Sequence, residues 1–260
     1  MSGRLLTEKQ GHIGYLVFDH EARRNAISAR MWREIPGAVQ RFAEDDDVRV
    51  VVMRGAGEVA FVAGADISEF ETSRSGTVAE AYDAANAFAF KALADLEKPL
   101  LAMIHGFCVG GGVAIALQAD MRFGADDSIF AIPAARLGLG YSMGGIETLI
   151  QVVGLANAKE IFFTAQKFKA GDALRMGLLN AVVPKARLAQ HVLETAERIA
   201  DNAPLTIRAA KMATRELQRP LAERDVAAVS QAISACYASE DYKEGVAAFL
   251  EKRRARFQGR

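Results

Sequence analysis

The first half of the chain alternates short apolar runs with amphipathic segments. Residues 12–19 and 48–54 predict β-strands, and between them the segment Ala29–Glu44 repeats its apolar side chains at helical spacing. Ser28 is a predicted N-cap for this helix, and Pro36-Gly37 in its interior predicts a kink. The predicted buried face of the helix comprises Met31, Trp32, Ile35, Val39 and Phe42.

The same alternation continues to about residue 131. Residues 78–97 predict a second helix, which ends before Pro99. Short apolar runs predict further strands at Leu100–Ile104, Met121–Ala125 and Ile129–Ala131. Because strand and helix alternate, the fold class is α/β.

Helical spacing dominates after about residue 139, where the strand pattern fades. The predicted helices cover residues 145–153, 156–164, 170–176, 188–200, 205–217, 221–236 and 241–254. We divide the chain into a core of residues 1–200 and a helical region of residues 201–260. The apolar faces of that helical region predict docking on a neighbouring subunit.

Composition and charge narrow the classes of function. A chain of 260 residues, 51% of them hydrophobic, is able to bury a large core. Formal net charge is +0 at pH 7, so we expect no nucleic-acid binding, although Arg208, Lys211, Arg215 and Arg219 recur on one segment.

The nearly uncharged run of residues 99–119 is about as long as a membrane span. Its glycines favour a buried strand, turn and helix, so we expect no membrane association.

The cysteines and the N-terminus predict a cytoplasmic protein. Cys108 and Cys236 lie far apart in apolar stretches, which is typical of buried thiols in a reducing compartment rather than of a disulfide. Residues 1–11 are polar, so they do not predict a signal peptide. The four histidines and two cysteines lack the spacing of metal ligands, and we predict no metal.

Two glycine-rich turns are the strongest candidates for a functional site. The first lies in residues 61–67, and the second in residues 104–114, where a strand leads through three glycines into an apolar helix. Glycines let a ligand approach the main chain, and the start of a helix supplies unpaired N–H groups. One amide from each turn would form a hole with two donors for a developing oxyanion.

The order and spacing of the motifs resemble the crotonase (enoyl-CoA hydratase/isomerase) superfamily over essentially the whole chain. The motifs are Asn25-Ala26-Ile27-Ser28, residues 63–67, Gly106 with Gly110-Gly111-Gly112, Leu137-Gly138, Gly144-Gly145 and residues 173–183.

The resemblance implies a spiral core of ββα units and a helical region that forms a trimer or a dimer of trimers. It implies an acyl-CoA thioester as substrate and no separate cofactor, since coenzyme A is part of the substrate. The thioester oxygen would lie between the amides of Ala65 and Gly111. The residues implied to line the path of coenzyme A are Ala22, Arg23, Arg24, Ala63, Gly64, Asp66 and Ile67, with Phe249 and Lys252 reaching it from an adjacent subunit.

Two of these residues have a second interpretation. Asp66 also suits a structural role, in which its carboxylate caps the helix that follows. Lys252 suits a solvated charge on a helix surface equally well.

Two positions depart from the family pattern. Hydratases of this family carry glutamates where this chain has Ala114 and Ala134. A methyl group is unable to orient water or move a proton, which disfavours both hydration and isomerisation. Decarboxylation of a malonyl-type thioester suits an oxyanion hole alone, because the thioester carbonyl accepts the electrons that departing carbon dioxide leaves behind.

Within the superfamily, residues 139–146 and 237–253 resemble bacterial methylmalonyl-CoA decarboxylases. This resemblance implies that Tyr141 helps to orient the substrate carboxylate. The match is incomplete, since those enzymes have histidine at the position of Ala65 and glutamate at that of Ala114. Two alternatives stay open: a hydratase or isomerase with an acid–base residue elsewhere, such as Glu147, and a protein that binds acyl-CoA without turnover.

Overall fold

A computed structural model describes residues 3–66 and 77–260 and has the predicted α/β fold. The strands are β1 (Arg4–Gln10), β2 (Ile13–Asp19), β3 (Val50–Gly55), β4 (Ala60–Val62), β5 (Leu100–Ile104), β6 (Phe107–Val109), β7 (Met121–Ala125), β8 (Ile129–Ala131), β9 (Phe168–Lys169) and β10 (Ala181–Val183). The α-helices are α1 (Ala29–Glu44), α2 (Thr77–Asp95), α3 (Gly111–Ala116), α4 (Ala134–Leu137), α5 (Met143–Thr164), α6 (Ala170–Arg175), α7 (Lys185–Ala200), α8 (Pro204–Leu217), α9 (Val226–Ala238) and α10 (Glu240–Leu250).

The larger sheet has the strand order β1-β2-β3-β5-β7-β10. The β1–β2 pair is antiparallel, and the other neighbours run parallel. Buried side chains cover both faces of the parallel part, with α1 contributing Trp32 and Ile35 on one side and α7 contributing Leu188 and Val192 on the other. Burial on both faces explains why these strands are continuous apolar runs in the sequence.

Helix α1 confirms the predicted bounds and buried face. The Ser28 hydroxyl accepts a hydrogen bond from the Met31 amide at 3.3 Å, as expected for an N-cap. The helix continues without a break through Pro36 and Gly37, where the sequence predicts a kink. The buried apolar face on either side of the proline holds the backbone helical where one hydrogen-bond donor is missing.

The smaller sheet has the order β4-β6-β8-β9. Strands β4, β6 and β8 are parallel neighbours, and β9 pairs antiparallel with β8. The sequence analysis did not predict β1, β4 or β6 as separate strands, and β9 and β10 correct the prediction that strands end after residue 139. Strands of two or three residues are too short to show an alternating pattern.

The C-terminal region is helical, as predicted, but its boundaries differ. The predicted helix 221–236 divides into a 3-10 turn at Leu221–Glu223 and helix α9, because the Asp225 carboxylate caps a new start by accepting from the Ala228 amide at 2.8 Å. Helix α10 ends at Leu250 rather than at residue 254. Gly154, with φ +77°, divides α5 where two helices were predicted.

A guanidinium joins the sheet to the C-terminal region. Arg49, which immediately precedes β3, donates to the carbonyl of Ala200 at 2.9 Å and to that of Phe257 at 2.7 Å. The contact with Phe257 crosses the predicted domain boundary at residue 200, which stays a prediction.

The basic residues of α8, and Arg219 just after its end, do not form an unpaired cationic stripe. Each has a carboxylate partner, so the positive charge available to a polyanion is reduced. The pairs are Arg208–Glu97, Lys211–Asp120, Arg215–Asp95 and Arg219–Glu216. The uncharged run of residues 99–119 folds as β5, β6 and α3, and no helix in the described ranges is long and apolar enough to span a membrane.

Burial of the Cys108 thiol in β6 is expected to make the free energy of unfolding fall as the pH becomes alkaline. The thiol is fully buried, which raises its pKa far above the usual value. In the unfolded chain the thiol ionises near pH 8.5. Its contribution to stability is therefore complete below about pH 8 and is lost as the pH rises.

We expect the free energy of unfolding to fall more steeply with pH in the wild type than in Cys108→Ala. The difference in slope should approach about 1.4 kcal/mol per pH unit above about pH 9. Urea denaturation between pH 7.5 and 10.5 measures both slopes. The loss of packing in Cys108→Ala lowers stability equally at every pH and does not by itself produce a difference in slope. Equal slopes in the two proteins would therefore contradict the expected linkage.

Candidate active site

Three parallel strands of the smaller sheet end at one edge, and the candidate residues follow them. Strand β4 leads into residues 63–66, β6 into residues 110–112, and β8 into Pro133 and Ala134. The Gly110 amide donates to the Ala131 carbonyl at 2.8 Å, which fixes the second turn against the end of β8. The topology thus brings together three segments that are far apart in the sequence.

Glycines are required in these turns for two physical reasons. Gly64 and Gly110 have positive φ angles of +105° and +53°, which side-chain-bearing residues rarely adopt. At Gly112 the backbone of α3 approaches β4 so closely that a Cβ atom would lie 2.0 Å from the Val62 carbonyl oxygen. The glycine-rich sequence is therefore needed to bring the two turns into contact.

The backbones of Ala65 and Gly111 lie close together. Ile27 pairs with the residues on either side of Ala65. The Ile27 carbonyl accepts a hydrogen bond from the Asp66 amide at 2.9 Å, and the Ile27 amide donates to the Gly64 carbonyl at 2.8 Å. The Ala65 N–H is left out of this pairing, and a Cβ atom at Gly111 would lie 3.8 Å from the Ala65 nitrogen.

Neither amide donates a hydrogen bond to a described residue. Two neighbouring N–H groups without internal acceptors have the composition of an oxyanion hole.

The predicted coenzyme A path begins at an exposed turn. Ala22 and Arg23 belong to the 3-10 turn Glu21–Arg23, and Arg24 follows with φ +52°. The Arg24 carbonyl accepts from the Ala63 amide at 3.1 Å, which joins this turn to the first glycine-rich segment. The Arg24 guanidinium lies 4.6 Å from the centre of the Phe107 ring. Two basic side chains therefore lie beside the candidate site.

Asp66 forms an ion pair across these two segments. Its Oδ1 accepts from Arg23 Nη1 at 2.8 Å, and the carboxylate is buried whereas the arginine is half exposed. This contact supports a structural role for Asp66. The helix that Asp66 was predicted to cap, and Ile67, lie outside the described residues.

The two positions at which hydratases of this family carry glutamate lie at the same edge of the smaller sheet. Ala114 is half buried in α3, and Ala134 is buried at the start of α4. Because these short helices follow the neighbouring strands β6 and β8, both methyl groups lie in the first or second turn after the strands that form the site. Tyr141 is half buried and packs edge-on against Phe162, with ring centres 5.0 Å apart. Glu147 is exposed on α5.

The structure adds aromatic residues that the sequence analysis did not assign to the site. Trp32 lies behind the second turn, with its Cζ2 atom 3.6 Å from the place of a Cβ at Gly111. Its Nε1–H donates to the Tyr82 hydroxyl at 3.0 Å. Phe90 packs edge-on against the indole at 5.1 Å between ring centres. The helical spacing of Tyr82 and Phe90 was a usable signal, but only the fold shows that their face meets Trp32.

Phe249 and Lys252 lie elsewhere in this subunit. Phe249 is 83% exposed and lines an apolar groove of about 730 Å³ formed by α8, α9, α10 and the C-terminal tail. Lys252 follows α10 with φ +55°. Neither side chain has a hydrogen bond, ion pair or ring contact with residues 22–24 or 63–66. Their contact with coenzyme A from an adjacent subunit, and the trimer or dimer of trimers, stay predictions.

The part of the chain that the structure describes contains no group of three histidine, cysteine, aspartate or glutamate side chains that could hold a metal ion. Cys108 and Cys236 are both free thiols; Cys108 is buried, as predicted, whereas Cys236 is only half buried on α9.

Comparison with known proteins identifies the family. The family model described as enoyl-CoA hydratase/isomerase matches residues 8–260. The short-chain-enoyl-CoA hydratase of Clostridium acetobutylicum is 34% identical over 250 residues, which are 96% of this chain and 95% of that protein. The crotonyl-CoA hydratase of Syntrophomonas wolfei is 34% identical over 253 residues, 97% of both chains.

A solved structure gives the same result. The crystal structure of an enoyl-CoA hydratase/carnithine racemase from Magnetospirillum magneticum superposes with a TM-score of 0.91 at 32% identity, covering 98% of this chain and 96% of that one. The chain therefore belongs to the enoyl-CoA hydratase/isomerase family, the crotonase superfamily.

Proposed function

We propose that this enzyme decarboxylates a malonyl-type acyl-CoA thioester, with methylmalonyl-CoA as the test substrate. The observation that supports this proposal is a pair of adjacent amides, Ala65 and Gly111, beside methyl groups at Ala114 and Ala134. The site offers stabilisation of negative charge on oxygen, and it lacks the two carboxylates at the positions where hydratases of this family carry them.

The chemistry follows from that pair of donors. The bond between C2 and the carboxylate breaks, carbon dioxide leaves, and the electron pair moves into the thioester enolate. The enolate oxygen accepts hydrogen bonds from the Ala65 and Gly111 amides, and C2 then takes one proton from solvent. The loss of a single donor of this kind typically costs about 10²–10³ in kcat, so two donors supply a large part of the required acceleration.

The proposed role of Tyr141 is to hold the substrate carboxylate before it departs. Its ring is fixed against Phe162, and it lies in the segment between α4 and α5, close in sequence to Ala134. A phenol hydroxyl donates one hydrogen bond to a carboxylate without taking its charge. We expect Tyr141→Phe to slow decarboxylation about tenfold while leaving the fold intact.

A second candidate function is hydration of an enoyl-CoA. The names of the relatives favour it, since two of them are hydratases. Hydration needs a group that activates water, and Glu147 is the nearest acidic candidate in the sequence after Tyr141. Its exposure on α5 gives no indication of contact with the two amides.

The test incubates the purified protein separately with methylmalonyl-CoA and crotonyl-CoA and follows the thioester products by mass spectrometry. We expect propionyl-CoA and carbon dioxide from the first substrate, with lower turnover in Tyr141→Phe and unchanged turnover in Glu147→Gln. Hydration of crotonyl-CoA without decarboxylation, abolished in Glu147→Gln, would establish the second candidate instead. Binding of both thioesters without any product would indicate an acyl-CoA-binding protein.

A further inference from the structure

Asn86 is a polar residue in the buried stripe of α2. Tyr82, Asn86 and Phe90 recur at intervals of four residues and therefore lie on one face of the helix. The Asn86 Oδ1 atom is buried, and it is the one buried side-chain nitrogen or oxygen in the described part of the chain that has no hydrogen-bond partner. Such atoms are rare because an unpaired buried acceptor is costly, and they call for a functional explanation.

The residues one turn before and one turn after Asn86 connect this face of α2 to the candidate active site. Tyr82, one turn before Asn86, accepts from Trp32 Nε1 at 3.0 Å, and Phe90, one turn after it, packs on the same indole. Asn86 therefore faces Trp32 between two residues that contact it. The other edge of the indole lies 3.6 Å from the place of a Cβ at Gly111. Trp32 therefore connects the face of α2 that carries Asn86 to the turn that carries Gly111.

The chemistry of the oxygen restricts what it is able to bind. An amide carbonyl only accepts hydrogen bonds, so its partner must bring an O–H or N–H group. A carboxylate would repel it, and an alkyl chain would leave it unpaired. In an acyl-CoA thioester the amides and hydroxyl of pantetheine lie on the coenzyme A side of the sulfur, so a donor beyond the thioester carbonyl must belong to the acyl group.

We propose that Asn86 is a specificity-determining residue whose Oδ1 accepts a hydrogen bond from a hydroxyl group on the acyl chain. The inference goes beyond the proposed decarboxylation, because it concerns which acyl group binds. It applies to decarboxylation and to hydration alike. It requires that an acyl-CoA occupies the site formed by Ala65 and Gly111. For a malonyl-type substrate, the hydroxyl group would lie on the branch at C2.

The test measures binding rather than turnover. Isothermal titration calorimetry compares butyryl-CoA with 3-hydroxybutyryl-CoA and 4-hydroxybutyryl-CoA, on the wild type and on Asn86→Leu, which has a similar volume and no acceptor. We expect one hydroxyacyl thioester to bind the wild type about tenfold more tightly than butyryl-CoA. In Asn86→Leu that preference should vanish, because the hydroxyacyl thioester weakens while butyryl-CoA binds as before or more tightly.

Two controls separate specificity from folding. Asn202→Leu changes an exposed asparagine after α7 and should alter none of the affinities. Asn86→Leu should melt at the same temperature as the wild type or a few degrees higher, because the variant removes an unpaired buried acceptor.

Several results would overturn the inference. It fails if the wild type binds the three thioesters equally, if it binds none of them, or if Asn86→Leu weakens all of them by the same factor. A water molecule bound to Oδ1 would give the first of these results. Failure of the proposed decarboxylation appears separately, as retained binding without release of carbon dioxide.

Discussion

Replacement of Gly111 by proline should lower kcat/KM about 10²–10³-fold while the protein remains folded. Proline removes the N–H that would donate to the enolate oxygen, and the loss of one such donor has an effect of this size. The backbone is expected to tolerate the change because Gly111 is the first residue of α3, a position where proline is favoured. A Cβ atom there would meet its nearest neighbour, Trp32 Cζ2, at an ordinary 3.6 Å. Steady-state decarboxylation and the melting temperature measure the two parts of the expectation.

The matched control is Gly111→Ala, which adds a similar Cβ and keeps the N–H. We expect its activity to lie much closer to that of the wild type than to that of Gly111→Pro. If the two variants lose activity equally, the added carbon atoms are responsible and the amide is not a donor in the reaction. If Gly111→Pro retains full activity, the oxyanion hole lies elsewhere.

Replacement of Gly112 by alanine should instead destabilise the fold by about 3 kcal/mol or more. The new Cβ would lie 2.0 Å from the Val62 carbonyl oxygen and 2.9 Å from the carbonyl carbon, and backbone atoms are unable to rotate away. Relief requires α3 to separate from β4, which also separates the two turns of the site. Urea denaturation should show a lower midpoint, and the melting temperature should fall by about 10 °C.

Gly144→Ala is the control for Gly112→Ala. Gly144 lies in the first turn of α5, and no described atom comes within 4 Å of the place of its Cβ. The same substitution there should raise stability by up to about 1 kcal/mol, since alanine favours the helix. A small effect at Gly112 would show that α3 is able to move away from β4 at little cost.

The sequence predicted the elements that have a clear period. The buried side chains of helix α1 recur every three or four residues, and all five residues of strand β5 are buried. Strands β4 and β9 contain three and two residues. They exist because neighbouring strands pair with them, and a short segment of sequence does not encode that pairing.

The same distinction applies to the candidate site. Glycine-rich turns identified the two segments, because the need for small residues is visible in the sequence, and the family resemblance identified Ala65 and Gly111 within them. The contact between these turns depends on the parallel pairing of β4 and β6. Asn86 is visible only as a polar residue within an apolar helical stripe, and its relevance appears once Trp32 is seen to contact both the stripe and Gly111.

The two donors of the candidate hole belong to the main chain, and this has a consequence for evolution. The backbone at residues 65 and 111 is held by strand pairing and by close contacts of glycines, whereas the side chains at residues 114 and 134 project from short helices behind it. Substitutions at those two positions are able to add or remove acid–base groups without moving the amides. A lineage with this architecture could therefore exchange one reaction for another through a few point mutations, while the part that stabilises the enolate is inherited unchanged.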